Sequence, residues 1–330
     1  MNALQLPQHT RFCPVFVLGC ARSGTSLTCR LLLDHLGVNF GTESQFIIRY
    51  SRRLRYYGDL RVGANMRRLL NDISRERFFA RTRHNFGFVF DIDRALLSVS
   101  EPTYAGALSA VFEQFAKTKG LPRWGDKTPE YNRHLNVLAG LFPVAQFVHV
   151  VRDPRDVATS YFKAGFGPKS AYEAAVHWRD AVTRVRTFGA AVSREQFLEL
   201  RYEDLLDDPS STLGRVASFL GITNHAELVA GIAERLRVQV RSGNSNKWRA
   251  GLDRRDLACI ETVARAAMSE LAYVPVTSDA SRIGPLERAR WRAQGLWRRV
   301  VDRRYWADTL YRLGVRVRTV PVLTRPLIRS

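Results

Sequence analysis

Pro14-Val-Phe-Val-Leu-Gly-Cys-Ala-Arg-Ser-Gly-Thr-Ser-Leu27 decides the fold. Val15 to Leu18 is a short, β-branched apolar run of the kind a buried strand requires. Gly19 breaks that run and Gly24 closes the loop. From Thr25 onward Leu27, Leu31, Leu32 and Leu36 recur at the helical period of about 3.6. Strand, glycine-bounded loop and helix together aim backbone N–H groups and a helix N-terminus at an anion. A nucleotide triphosphatase loop reads G-x-x-x-x-G-K-[ST]. Gly19 to Ser26 keeps every fixed position of that pattern except the lysine, which is Thr25, and places a cation inside the loop at Arg22. The stretch therefore predicts an anion site built from Arg22, Ser23, Gly24, Thr25, Ser26 and the loop amides, and argues against an ordinary triphosphatase. Read alone, it also describes a plain strand-to-helix turn.

With 330 residues the chain is long enough to bury a full core, as one large domain or a domain with an appendage. Fifty-one basic against 31 acidic residues leave a net charge of +20, which favours acidic ligands or surfaces as partners. Cys13, Cys20, Cys29 and Cys259 form no C-x-x-C pair and no zinc spacing, and read as reduced structural thiols. The N-terminus lacks a basic n-region, and no uncharged run has the length of a membrane span. The expected location is cytoplasmic.

Outward from the opening stretch, Gly37 suits a helix end and Val38 to Phe40 a short second strand. Glu43 follows at the ligand-binding edge of an open α/β sheet, as a general base or as a helix-start acid. Residues 46–120 read as a helical insert in which arginines alternate with Tyr50, Tyr56, Tyr57, Phe78 and Phe79. Such interleaving suits a polyanion or a solvated helical face, and no nucleic-acid motif accompanies it. Gly125 and Pro129 mark Arg123 to Tyr131 as a loop, so Lys127 stands on a constrained turn. Val144 to Val151 is the most strand-like run in the chain, and Arg152 leaves its C-terminal end. Asp153 and Pro154 then start a helix that carries Ser160 two turns on. His149 reads as a packed core histidine.

Residues 170–192 read as a helix and Phe197 to Tyr202 as a strand. The loop 241–249 combines Gly, Ser and Asn with Arg241, Lys247, Trp248 and Arg249, as a flap over an anion or as a surface loop. Residues 281–330 hold 13 arginines against Glu287, Asp302 and Asp308, a local net of 13 − 3 = +10. Trp291, Trp297 and Trp306 fall along a helical pattern there. This is the composition of a helix lying on an anionic membrane, or of one packed back onto the domain.

Taken together, these segments resemble the sulfotransferases that use 3′-phosphoadenosine-5′-phosphosulfate (PAPS). Their 5′-phosphosulfate loop is similar to Pro14–Leu27, and their 3′-phosphate motif to Val150-Val-Arg-Asp-Pro-Arg-Asp-Val-Ala-Thr-Ser160. The resemblance implies that Arg152 and Ser160 grip the 3′-phosphate, that Tyr202 lines the donor site, and that Lys247 closes over it. The tyrosylprotein and carbohydrate branches are nearest in pattern. Gly41-Thr-Glu-Ser44 resembles the segment that carries the catalytic acid in the first, and Asp126-Lys-Thr-Pro129 the K-[ST]-P loop of the second. That gives Glu43 as base and Lys127 as the cation at the sulfonyl group, although Thr42 replaces an acid of the tyrosylprotein pattern.

The resemblance implies a three-layer, P-loop-like α/β fold with a central parallel sheet over residues 1–276; residues 277–330, for which it has no counterpart, read from their composition as a basic helical extension. It implies a sulfonyl transfer by in-line displacement to a hydroxyl or amine acceptor, of saccharide or glycolipid type, with PAPS as co-substrate and no metal. Peripheral contact with anionic membrane falls to residues 281–330, and nucleic acid is not expected as a partner. The competing readings are a kinase-like phosphotransferase dependent on ATP and magnesium, and a non-catalytic polyanion- or membrane-binding protein.

Overall fold

The computed structural model describes residues 13–121, 123–240, 243–277 and 283–313. Its centre is a parallel sheet. The first strand β1 (Val15–Leu18) leads into helix α1 (Thr25–Leu36), which ends at Gly37 in the left-handed conformation and feeds β2 (Val38–Phe40). The helical insert then runs through α2 (Ile47–Ser51), α3 (Gly63–Ser74), α4 (Arg77–Phe86), α5 (Ile92–Ser98) and α6 (Tyr104–Lys117). In the insert the interleaved pattern splits by face. Tyr50, Tyr57, Phe78 and Phe79 are buried, whereas Arg52, Arg53, Arg55, Arg67, Arg68, Arg75 and Arg83 are exposed. Four of the five aromatics are thus core, and Tyr56 is the one left in solvent.

Strand β3 (Arg123–Asp126) follows, and corrects the loop assigned to Arg123–Tyr131. All four of its residues are buried. The Arg123 guanidinium is made tolerable inside by donating to the carbonyls of Cys13 and Leu220 and to Gln146 Oε1. At Gly125 a Cβ would meet the Phe40 ring at 2.4 Å, so glycine here lets β2 and β1 close on the strand rather than ending it. Beyond a 3-10 turn and α7 (Leu135–Leu141) come β4 (Gln146–Val151), α8 (Pro154–Lys163), α9 (Ala171–Gly189) and β5 (Phe197–Arg201). Helices α10 (Tyr202–Asp207), α11 (Pro209–Phe219), α12 (His225–Gln239), α13 (Trp248–Gly251) and α14 (Arg254–Glu270) complete the body. Last are α15 (Pro285–Val301) and α16 (Arg303–Leu313).

The strand order is β2-β3-β1-β4-β5, with every pair parallel. Phe16 and Phe147 pack on one face of the sheet with the insert and with Val185 and Phe188 of α9. Val15, Val17, Val148 and Val150 pack on the other with α1, α10, α11 and α12. This is a three-layer α/β sandwich. Because the chain fills the β1–β2–β3 side before crossing to β4 and β5, the direction of winding reverses between β1 and β4. A crevice therefore opens outside their C-terminal ends, where ligands bind in such sheets. His149, mid-strand, is buried against Glu199, and burial holds its pKa below the ordinary value.

Candidate active site at the sheet edge

Gly19 leaves β1 at φ +146°, so close to β4 that a Cβ would lie 2.4 Å from the Val150 carbonyl oxygen. Asn132 Nδ2 donates to the Gly19 carbonyl at 2.9 Å, and the Ser23 N–H donates to the Cys20 carbonyl at 3.1 Å. Between these ties Arg22 is held at φ +76°, a left-handed conformation that costs a non-glycine residue on the order of 1–3 kcal/mol. The twist turns both ends of Arg22 to use. Its Nε donates to Ser160 Oγ at 2.9 Å, and its carbonyl accepts from Arg152 Nη1 at 3.2 Å. Gly24, at φ +93°, is the residue before α1 and provides no side-chain cap, which leaves the first N–H groups of α1 free for an anion.

Arg152 emerges from β4 as buried as a core residue. Besides its bond to Arg22, its Nη2 donates to the Asn244 carbonyl at 2.6 Å, and its guanidinium lies 4.6 Å over the Tyr202 ring. Asn244 Nδ2 in turn donates to the Tyr202 hydroxyl at 2.6 Å. Asp153 caps α8 by accepting from the Arg155 N–H, with Pro154 in the first turn. Burial raises the pKa of Asp156, whose Oδ1 accepts the Trp248 N–H at 3.0 Å and so fastens α13 beside the site.

A cleft of about 420 Å³ opens over these groups. Arg22, Gly24, Thr25, Ser26, Arg152, Ser160, Tyr202 and Lys247 stand in its wall. Ser23 is fully buried instead, its Oγ without a partner. Arg152 Nε is likewise buried and unpartnered. Orphaned donors beside an arginine-lined cleft fit a phosphate ligand, because a buried donor left unmatched is destabilising. Sequence reasoning missed Asp156, Thr159, Lys163 and Asn244, which share the wall. The first three were open to it, since 156, 159–160 and 163 follow one stripe of α8, the helix that starts just beyond Arg152. Asn244 lies in the loop flagged for its cations, and no local pattern singles it out. A second cavity of about 790 Å³, between α1 and α12, meets the cleft at Tyr202 and Asn244. Of the 241–249 loop, residues 241 and 242 lie outside the described residues.

Glu43 and Lys127 are not in the wall of the cleft, but they find each other. Lys127 Nζ donates to Glu43 Oε1 at 2.5 Å, with both side chains partly exposed. The register explains the meeting: Phe40 pairs with Gly125, so the chain leaving β2 and the chain leaving β3 emerge side by side. Beneath them Asp126 is fully buried, accepting from the Ser44 N–H at 3.3 Å, and burial raises its carboxyl to about 6. Ser44 and Tyr131 share a 2.7 Å hydroxyl contact, which locks the 43–47 turn onto the segment after β3. All four cysteines are free and buried, and burial pushes Cys20 and Cys259 up to about 12.

Among the described residues no group of three or more His, Cys, Asp or Glu side chains is placed to hold a metal ion. No described helix is long and apolar enough to cross a membrane. A sequence model of the sulfotransferase family matches residues 14–226, which include the loop, β4, α8 and Tyr202. Omega-hydroxy-beta-dihydromenaquinone-9 sulfotransferases of Mycobacterium bovis and Mycobacterium tuberculosis are each 29% identical over 122 residues, covering 29% of this chain. The match spans only 28% of those curated relatives. Among solved structures, the sulfotransferase domain of the Synechococcus PCC 7002 olefin synthase superposes with a TM-score of 0.53 at 21% identity, over 83% of this chain and 99% of that one. The sulfotransferase domain from the curacin biosynthetic pathway gives 0.51 at 18% identity, over 79% and 98%. These likenesses speak for the fold.

Proposed function

The chain belongs to the sulfotransferase family, and from that premise we propose that it moves the sulfonyl group of PAPS to an acceptor hydroxyl (or amine) on a saccharide or glycolipid. One observation carries the reading: Arg22 and Arg152, 130 residues apart, join in the wall of a single cleft. PAPS supplies an activated sulfonyl group on its 5′-phosphate. Arg22, Thr25, Ser26 and the free N–H groups of α1 would hold the 5′ end, and Arg152 with Ser160 the 3′-phosphate. Tyr202 sits where the cleft meets the larger cavity, which suits the nucleoside, and Lys247 would cover the donor.

Glu43 would take the acceptor proton as the oxygen–sulfur bond forms and the bond from sulfur to the 5′-phosphate oxygen breaks. Lys127, released from Glu43 by the incoming acceptor, would offset charge gathering on the sulfonyl and bridging oxygens. The relatives named for a hydroxylated menaquinone favour a lipid-borne hydroxyl within the acceptor class. We read residues 1–276 as the transferase unit and 277–330 as an extension of it.

Incubation with ³⁵S-labelled PAPS and a panel of glycolipids, free saccharides and lipid alcohols tests the reading. Label is expected in a glycolipid or saccharide and not with the Glu43→Gln variant. Titration with adenosine 3′,5′-bisphosphate by calorimetry gives the independent arm, and absence of heat would overturn the donor assignment.

A further inference from the structure

Helix α15 is amphipathic twice over. One stripe faces the body: Trp291 and Gly295 are buried, with Trp291 packed among Ala171, Ala174 and Ile260. Arg255 covers the Trp291 ring at 4.6 Å, and Arg299 pairs with Glu173 at 2.7 Å. Such an anchored helix ordinarily turns a polar face to water. This one does not. Positions 286, 289, 293, 297 and 300 recur at helical spacing on the opposite side and read Leu, Ala, Ala, Trp and Val, all exposed. Leu296 at 60%, Trp297 at 65% and Val301 at 55% exposure widen the stripe. It continues onto α16, where Trp306, itself 48% exposed, donates its Nε1–H to the Val300 carbonyl at 2.9 Å. Arg290, Arg292 and Arg303 border the stripe, exposed and without an ion-pair partner among the described residues.

The junction of these two helices is fixed to the rim of the cleft. Asp302 pairs with Lys169 at 2.8 Å, and a Cβ on Gly165 would lie 3.1 Å from the Arg304 carbonyl oxygen. Arg298 donates to the Lys169 carbonyl at 3.1 Å. The segment so clamped begins at Lys163 and Ala164, which line the cleft.

We propose that the outer face of α15 and α16 docks on an anionic lipid bilayer, with Leu296, Trp297, Val300 and Trp306 entering the interface and Arg290, Arg292 and Arg303 meeting lipid phosphates. Tryptophan and aliphatic side chains ringed by arginine are the makeup of a helix that lies in a membrane surface. A soluble partner would need acidic groups around an apolar centre, whereas an anionic bilayer provides both over any area. Seating this face would hold the Lys163–Lys169 rim, which is clamped to the inner side of the helix junction, about one helix diameter (~10 Å) from the lipid surface. That last consequence rests on the sulfonyl-transfer reading and suits an acceptor held in the membrane.

Co-sedimentation of the full chain with vesicles of phosphatidylcholine containing phosphatidylglycerol, without any donor, tests the docking. Binding is expected on these vesicles, with a blue shift in tryptophan emission, and little on phosphatidylcholine alone. Paired Trp297→Ser and Trp306→Ser substitutions should weaken partitioning by roughly tenfold or more. Neutralisation to glutamine at Arg290 and Arg292 should cost about fivefold for each arginine. Both sets lie in solvent, and circular dichroism checks that the fold is kept. Equal binding by wild type and variants would overturn the proposal. So would a concentration-dependent dimer, lost in the tryptophan variants and seen without vesicle binding, since a second copy would then be the occupant. Vesicle binding by a chain that fails to transfer label would retain the docking and remove the sulfonyl-transfer reading.

Discussion

Two halves of the same sheet edge are built on different terms. At β1 and β4 the functional groups are wedged. Gly19 touches the β4 backbone, Arg22 is strained, and Arg152 is buried between Tyr202, Asn244 and Asp156. At β2 and β3 the exposed chemistry comes down to one ion pair, Glu43 with Lys127, standing on a buried frame of Asp126, Ser44 and Tyr131. The first half is held by buried contacts; the second, under the proposed transfer, would have to separate its pair to act. If the proposed transfer holds, the first half would serve as the binding subsite and the second as the reacting one, because preorganisation favours affinity whereas a proton acceptor has to be released at the moment of use.

The sharpest test of this division is Glu43→Gln. Turnover should fall roughly 10²- to 10⁴-fold, the range for loss of a general base, while calorimetric affinity for adenosine 3′,5′-bisphosphate stays unchanged. A matching loss of affinity would erase the contrast. Arg152→Ala should do the reverse and weaken that affinity by roughly 10²-fold, because charge-assisted hydrogen bonds are worth about 1.5–3 kcal/mol each. Lys163, exposed at the mouth of the cleft, is the graded case. Lys163→Ala should cost only a few-fold in affinity, and the difference should shrink with added salt, about 8–10 Å being the screening length near physiological ionic strength.

The smallest effect concerns the frame. Buried Asp126 keeps its proton to about 6, while the unfolded chain releases it near 3.8. Between those values the folded state binds more protons, so this group's contribution to stability is lost as pH rises through the window. Besides its burial, hydrogen bonds from Ser44 and Thr128 favour the charged carboxylate, while the neighbouring Glu43 opposes it. Asp126→Asn should remove the decline, with Tm a few degrees higher than wild type near neutral pH and no gain near pH ~4. An unchanged slope would mean that Asp126 is charged throughout.

Arginine alone does not distinguish these roles. Arg155, three residues beyond Arg152, pairs with Asp153 at 2.6 Å and Glu261 at 2.8 Å and stacks 4.1 Å from the Trp248 ring. It is fully spent on structure and stays out of the cleft. Both sit in the same Arg-Asp-Pro-Arg-Asp run, and only the partners contributed by distant elements separate them.

What the chain settled by itself was local. The Val15–Leu18 strand, the glycine loop, the helix start at Pro154 and the stripe of α8 depend on residues within a few turns of one another, and backbone geometry turns their spacing directly into shape. The meeting of Glu43 with Lys127 did not follow from spacing, because it depends on which strands lie side by side. Nor did β3. Arg123 and Gly125 look like loop residues until Cys13, Gln146 and Leu220 supply acceptors for the guanidinium, and Phe40 fills the space a side chain would have taken. The outward apolar face of α15 is decided the same way. A helix with two apolar stripes can bury either one, and only packing against Glu173 and α9 selects which stripe is left to meet something else.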